Sequence, residues 1–288
     1  MRLSTATKIA IARRIASFLF TLGFKPHRQV RRRGVNFALD LREGIDLSIF
    51  LFAGFQNDVL AAIRRHLAPG TIVIDVGANI GAMSLPIAAK SPEVKVVSVE
   101  PTDYAFGKLS ANVALNPNLH GRISTVRTFV ADHSEPRSTL VAYSSWRVDR
   151  EAGDVHPVHR GTAMPAECGQ ITVDDLAATY LPVRTSVIKI DTDGHEYAVL
   201  SGAHRTLETA RPAIVFEACE YLMMPPRHTF EDFERLFREH RYTICDLRSG
   251  RPIDAALFRR TCPSGGGLDL LALPDEITQA AEPGTSSR

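Results

Sequence analysis

Four cysteines in 288 residues, at Cys168, Cys219, Cys245 and Cys262, form no CxxC pair and have no histidine near them at zinc-ligand spacing. That scarcity argues against a disulfide-built scaffold and a zinc module, and it suits free thiols in a reducing cytosol. Net charge is almost as scarce. Lys and Arg number 34 against 32 Asp and Glu, a balance of +2, well short of the concentrated positive field by which proteins hold nucleic acid. Long hydrophobic runs are missing too: the apolar stretch 15–24 is below the ~20 residues of a bilayer span. In the N-terminal segment as a whole, Lys8, Arg13 and Arg14 interrupt the apolar residues and no clean small-residue cleavage site follows, so it does not read as a secretory signal. What remains is 44% hydrophobic and 23% charged residues, the composition of an ordinary globular chain with one sizeable core. A cytoplasmic location follows as the expectation.

Along the chain, Lys8, Arg13 and Arg14 alternate with Ile11, Ile15, Phe18, Leu19 and Leu22 at helical spacing. This predicts an amphipathic helix that either packs on its own domain or a twin subunit in a homodimer, or lies on an anionic membrane surface through residues 1–25. A basic run at Arg28 and Arg31 to Arg33 leads into two β-rich segments, 35–41 and 45–52, separated by a turn at Gly44. A helix capped by Asn57 or Asp58 runs to His66, and Pro69-Gly70 ends it. Residues 1–66 thus precede a main domain at 67–276, with 277–288 expected as a disordered tail. In the main domain, strands are expected at 71–76, 94–99, 123–130, 186–191, 213–218, about 241–246 and about 268–273. Helices are expected at about 81–90, 103–116, 172–180, 195–210 and 229–240. This alternation, with runs such as 94–99 lacking a polar face, predicts an α/β fold: a doubly wound, mostly parallel, Rossmann-like sheet covered on both sides. The region 137–169, rich in Pro, Gly, His and Ser and without periodicity, reads as a lid or substrate loop that carries the single tryptophan, Trp146.

The first main strand runs directly into Asp75-Val76-Gly77-Ala78-Asn79-Ile80-Gly81. In such a turn Gly77 removes the side chain where backbone must approach a ligand, and Gly81 permits close helix–strand packing. A nucleoside cofactor is the natural occupant. A dinucleotide fingerprint wants glycine where Asn79 stands, and a triphosphate loop wants Gly-Lys followed by Ser or Thr, so neither is favoured. Glu100, ending the second strand, is placed to accept hydrogen bonds from ribose hydroxyls. Asp132, after the third strand, is placed to meet an adenine amine. Both acids are also compatible with ordinary solvated strand ends.

The segments IDVGANIG, VEPTDYAFGKLSANVALN, VIKIDTDGHEYAVLSGA and PAIVFE, in that order, resemble the FkbM-type methyltransferase family, over residues 36–274. The resemblance implies transfer of a methyl group from S-adenosylmethionine, commonly to a hydroxyl of a sugar, a glycan or a natural product. It maps the family's cofactor residues onto Asp75, Gly77, Asn79, Glu100 and Asp132, with Ala78 and Gly81 in the same loop. The amino group of S-adenosylmethionine would find a partner in Asp75, directly or through water. One departure is Asp193, where the family usually has glutamate.

Lys189, Asp191, Asp193, His195 and Glu196 cluster where the fourth strand ends and form the catalytic candidate, with Lys189, Asp191, His195 and Glu196 as its working members. Methyl transfer to an alcohol needs aligned reactants and removal of a proton from a weakly acidic hydroxyl. Either His195 or Asp191 would take that proton, and Lys189 would steady charge or orient the acceptor. A purely structural account fits the same residues: a buried Lys189–Asp191 ion pair, with Glu196 supporting the helix start. An EF-hand fails on spacing and no metal is assigned, although one divalent ion on Asp191, Asp193 and Glu217 would satisfy ligand chemistry. The competing functions are a non-catalytic S-adenosylmethionine-binding module and a nicotinamide-dependent oxidoreductase.

Overall fold

The computed structural model describes residues 5–143, 163–180, 186–219, 228–262 and 266–281. Helix α1 (Thr5–Thr21) leads to the hairpin β1 (His27–Arg32) and β2 (Val35–Asp40), then to α2 (Gly44–Phe52) and α3 (Asn57–Arg65). The expected second β segment, 45–52, is therefore the helix α2. Its residues were misleading because a short apolar run rich in Ile and Leu looks the same whether it is a buried strand or a buried helix. Leu47 and Ile49 are buried, and Asp46 in the first turn accepts a hydrogen bond from the Asp40 backbone at 2.6 Å.

The main domain follows as β3 (Ile72–Val76), α4 (Ser84–Lys90), β4 (Lys95–Val99), α5 (Asp103–Ala114) and β5 (Ile123–Val126). Next come β6 (Phe129–Val130), β7 (Glu135–Tyr143), β8 (Ala163–Ile171), α6 (Val173–Tyr180) and β9 (Ser186–Ile190). The chain continues through α7 (Glu196–Ser201), α8 (His204–Thr209), β10 (Ala213–Cys219), α9 (Phe230–Glu239), β11 (Tyr242–Asp246), α10 (Ala255–Thr261), β12 (Gly267–Pro274) and α11 (Asp275–Ala281). Seven strands form one sheet in the order β11-β12-β10-β9-β3-β4-β5. The pairs from β10 to β5 are parallel, and β12 runs antiparallel to both of its neighbours. This is the expected doubly wound, mostly parallel arrangement.

The absence of a polar face has a direct structural cause. Along β3 and β4, Val73 and Val96 enter one core with Phe37, Leu39 and Ile63, while Ile74, Val76, Val97 and Val99 enter the opposite core with Phe216 and Phe237. The N-terminal hairpin and α1–α3 thus cover one face of the sheet and share its core. At ~1.5–3 kcal/mol for each large side chain taken from water, the two cores supply the main driving force for the fold.

Four further expectations change. The predicted strand 123–130 breaks after Val126, and its end, β6, leaves the main sheet to pair with β8. The predicted helix 195–210 breaks at Gly202-Ala203, where a side chain on Gly202 would strike the Ala131 carbonyl. The expected structureless region begins and ends as strands: β7 and β8 pair antiparallel in a three-stranded sheet with β6. The β7 segment 135–137 is solvent-exposed, so no apolar alternation marked it. Trp146 and the centre of the expected lid lie outside the described residues. The expected tail starts as helix α11, and residues 282–288 lie outside the described residues as well.

Candidate active site

The chain reverses direction across the sheet at β3, flanked by β4 and β9, and the carboxyl ends of these strands converge there. In open α/β sheets such a switch point opens a crevice. The turn after β3 is held open by backbone in sparsely populated conformations, with φ of 74° at Gly77, 49° at Asn79 and 85° at Gly81. Asparagine is among the few side chains that tolerate this region. The amides of Gly77 and Ala78 both donate to the Val99 carbonyl at 3.0 Å, which pins the turn to the end of β4. A methyl group on Gly77 would collide with the backbone carbonyl of Asp191, so the expected close approach at Gly77 includes the protein's own backbone. Gly81 meets the side chains of Leu85 in α4 and Leu109 in α5, so its missing side chain makes room for two helices where a helix–strand contact was expected.

Glu100 is 6% exposed and closes this loop from β4. Its Oε2 accepts from the Asn79 amide at 3.0 Å, and its Oε1 accepts from the Thr102 amide at 3.0 Å and hydroxyl at 2.6 Å. Burial pushes its pKa up while these donors pull it down. A carboxylate has about four acceptor positions, so capacity remains on Oε2 toward the crevice.

Asp75 is placed differently from the expectation. It is fully buried, and its carboxylate accepts from the Ser84 hydroxyl at 2.5 Å and faces Lys189 Nζ at 3.2 Å. Direct contact with a ligand's amino group is closed to it. Lys189, expected beside the acceptor, is 4% exposed; its Nζ donates to the Gly77 carbonyl at 3.1 Å and lies 3.4 Å from Asp191. Burial alone would lower the Lys189 pKa, but the carboxylates of Asp75 and Asp191 outweigh it and hold the ammonium charged. This lysine anchors the β3 turn to the end of β9.

Glu196 also acts on the protein itself. It is 6% exposed, and its carboxylate accepts from the amides of Thr192 and Gly194 and from the Thr192 hydroxyl, folding the 192–195 loop around the start of α7. His195 is half-buried, and its Nδ1 lies 3.2 Å from the Thr192 carbonyl. A carbonyl can only accept, so Nδ1 carries the proton in that bond, and in the neutral ring Nε2 presents a lone pair.

Asp191 and Asp193 are brought together with Glu217 at the end of β10, the carboxylate oxygens of all three within 4.8 Å of one another. Burial, then the charges of Asp191 and Glu196, push the Asp193 pKa up to about 8, and burial with the same acidic neighbours raises Glu217. Asp193 adopts φ of 53°. Such clustering of mutually repelling acids, one of them in a sparsely populated backbone conformation, is characteristic of functional sites. Gln56 is a member that motif reading missed; its Nε2 donates to Asp191 Oδ2 at 3.2 Å. It also has positive φ, 43°, at the start of α3, and no local pattern marks it because the partner is 135 residues away. Asp132 stands apart from the cluster. Its side chain is 57% exposed and pairs with His133 Nδ1 at 2.7 Å.

Residues 75–244 match the family model described as the methyltransferase FkbM domain. Methyltransferase sdnD of Sordaria araneosa is 28% identical over 162 residues, which cover 48% of this chain and 62% of that protein. The AMB antimetabolite synthetase AmbE of Pseudomonas aeruginosa is 47% identical over 59 residues, 20% of this chain and 3% of the synthetase. The chain therefore spans less than two thirds of either relative. Among solved structures, Pyrococcus horikoshii TYW2 in complex with MeSAdo aligns over 91% of this chain and 81% of its own, with 17% identity and a TM-score of 0.45.

Proposed function

The chain belongs to the FkbM methyltransferase family, whose methyl donor is S-adenosylmethionine, and from that premise we propose that it methylates a hydroxyl oxygen of a sugar, glycan or natural product. The observation that carries the proposal is the joint between two half-sites. Lys189 and the Asp191 amide, which donates to the Val76 carbonyl at 3.1 Å, lock the acidic end of β9 against the glycine turn. A module that only binds a nucleoside has no need for such a cluster, and Asn79 argues against a dinucleotide.

The residues fit the donor. Glu100 retains acceptor capacity suited to ribose hydroxyls, the side-chain-free turn at Gly77 leaves room at the crevice, and the acidic cluster of Asp191, Asp193 and Glu217, whose mutual repulsion an incoming cation relieves, favours a cationic ligand. Ala78, Asn79 and Gly81 shape the same turn, and the exposed Asp132 would meet the adenine amine. When bound, S-adenosylmethionine supplies an electrophilic methyl group on a sulfonium.

The chain's own residues then divide the remaining work. His195 Nε2 removes the hydroxyl proton of the acceptor. Asp191, held by Gln56 and Lys189, orients that hydroxyl. Lys189 and Glu196 keep the turn and the 192–195 loop in place instead of touching substrate. A natural-product acceptor gains support from the local likeness to an antimetabolite synthetase.

The test is to incubate wild type and His195→Gln with a cell extract and S-adenosylmethionine carrying a deuterated methyl group, then locate the label by mass spectrometry. A labelled methyl ether that appears with wild type and falls ~10²- to 10⁴-fold with the variant is the expected result. Label on nitrogen or carbon would overturn the assignment to oxygen.

A further inference from the structure

Residues 1–39 contain nine Lys and Arg and neither Asp nor Glu, whereas residues 40–288 contain 25 basic against 32 acidic residues. The near-neutral total therefore hides a strongly basic end on an acidic body, an asymmetry that marks attraction to an anionic partner. The fold gathers this charge around exposed apolar side chains. Helix α1 turns Ala16 inward, with Ala12, Leu19 and Phe20 packed against the same core. On its other side Ile11, Phe18 and Leu22 are 45%, 64% and 59% exposed. These three recur at i, i+7 and i+11, a single stripe on the helix and its last turn, where the Leu22 amide still donates to the Phe18 carbonyl.

Phe52, 64% exposed at the end of α2, lies two residues beyond Phe50, whose ring meets that of Phe24 edge-on with centres 6.1 Å apart. The hairpin arginines fix it there, since Arg32 donates to the Phe50 carbonyl at 2.9 Å and Arg33 to the Ala53 carbonyl at 2.8 Å. Between the end of α1 and β1 lies an open cleft of about 500 Å³ lined by Leu22, Phe24, Lys25, His27 and Arg28, with the Arg28 guanidinium 4.9 Å from the centre of the Phe24 ring.

We propose that this face docks on an anionic lipid surface, with Phe18, Leu22 and Phe52 entering the acyl boundary and Lys25, Arg28 and Arg31 meeting lipid phosphates. Exposed apolar side chains flanked by exposed basic ones, on an element too short to span a bilayer, suit an interfacial site. A second copy of this chain is the weaker occupant because a two-fold contact would press one basic face against another. Docking here also carries the active site to the interface: Phe52 is four residues from Gln56, hence within ~14 Å of it along the chain.

Vesicle co-sedimentation of the full chain tests the proposal, with phosphatidylcholine alone compared with equal parts phosphatidylcholine and phosphatidylserine. Binding is expected only to the mixed vesicles and should weaken with salt. Lys25→Ser, Arg28→Ser and Arg31→Ser together should lower it about 100-fold, since each basic residue near such a surface contributes about fivefold. The exposed pair Phe18→Ser and Leu22→Ser should abolish it while leaving the melting temperature unchanged. Equal binding to neutral vesicles, or mixed-vesicle binding that both variants retain, would overturn the proposal. So would a soluble dimer broken by Phe18→Ser and Leu22→Ser, or single-stranded RNA captured in place of vesicles.

Discussion

Replacing Lys189 by Met keeps most of the side chain's length and removes its charge. The fully buried Asp75 then loses its cationic neighbour and keeps only the Ser84 hydroxyl, while the Gly77 carbonyl loses its donor. Stranding one member of a buried pair costs ~3–5 kcal/mol. At ~2–4 °C per kcal/mol for a domain of this order, the melting temperature should fall by ~6–20 °C. Adding Asp75→Asn removes the stranded charge, so the double variant should recover much of the loss although it contains one more substitution. Because the β3 turn is no longer anchored, donor affinity should fall along with stability. Thermal melting and titration calorimetry of the wild type, both single variants and the double variant complete the cycle. If Lys189→Met melts like the wild type, binds donor normally and loses only turnover, the anchoring role is refuted, and Lys189 belongs with the acceptor as its position in the sequence suggested.

Gly77→Ala should fail to bind donor and lose several kcal/mol of stability, since a methyl group there meets the Asp191 carbonyl at a φ of 74°; melting and calorimetry check it. Asp193 holds its proton in the folded protein up to about pH 8, above its unfolded value, so the stability it favours at low pH is lost as pH rises through that range. Asp193→Asn mimics the protonated form and should gain stability relative to wild type between about pH 5 and 9; a difference that does not change with pH would contradict this. His240 behaves in the opposite sense: buried and 2.8 Å from His204 Nδ1, it has a lowered pKa, so stability present above pH 6.5 declines as pH falls below it. His240→Gln should flatten that decline in melting curves taken from pH 7 to 5.

The legible parts of this protein are those whose signal is local. Each parallel strand of the main sheet carries a β-branched run, and the glycine turn, Glu100 and the Lys189–Glu196 segment lie at strand ends, so both fold and site region follow from short stretches. The errors arise where distant partners decide. The 45–52 segment is equally apolar as strand or helix, and its packing against α1 and the hairpin makes it α2. β7 is recognisable only through its pairing with β8. The same holds inside the site: the strand-end pattern puts Asp75 beside the cofactor and Lys189 beside the acceptor, whereas tertiary burial makes both of them supports of the turn. Gln56 reaches Asp191 from the N-terminal layer, a contact no motif could carry.

Titration calorimetry of the purified chain with S-adenosylmethionine, with NAD as control and Glu100→Ala alongside, decides whether the crevice beside the β3 turn holds the methyl donor. Saturable one-to-one binding of S-adenosylmethionine and none of NAD is expected. Glu100→Ala should bind about 5- to 150-fold more weakly, the equivalent of ~1–3 kcal/mol for polar groups left without their buried partner. Heat with NAD and none with S-adenosylmethionine, or a Glu100→Ala variant that folds and binds the donor as tightly as wild type, would contradict that assignment.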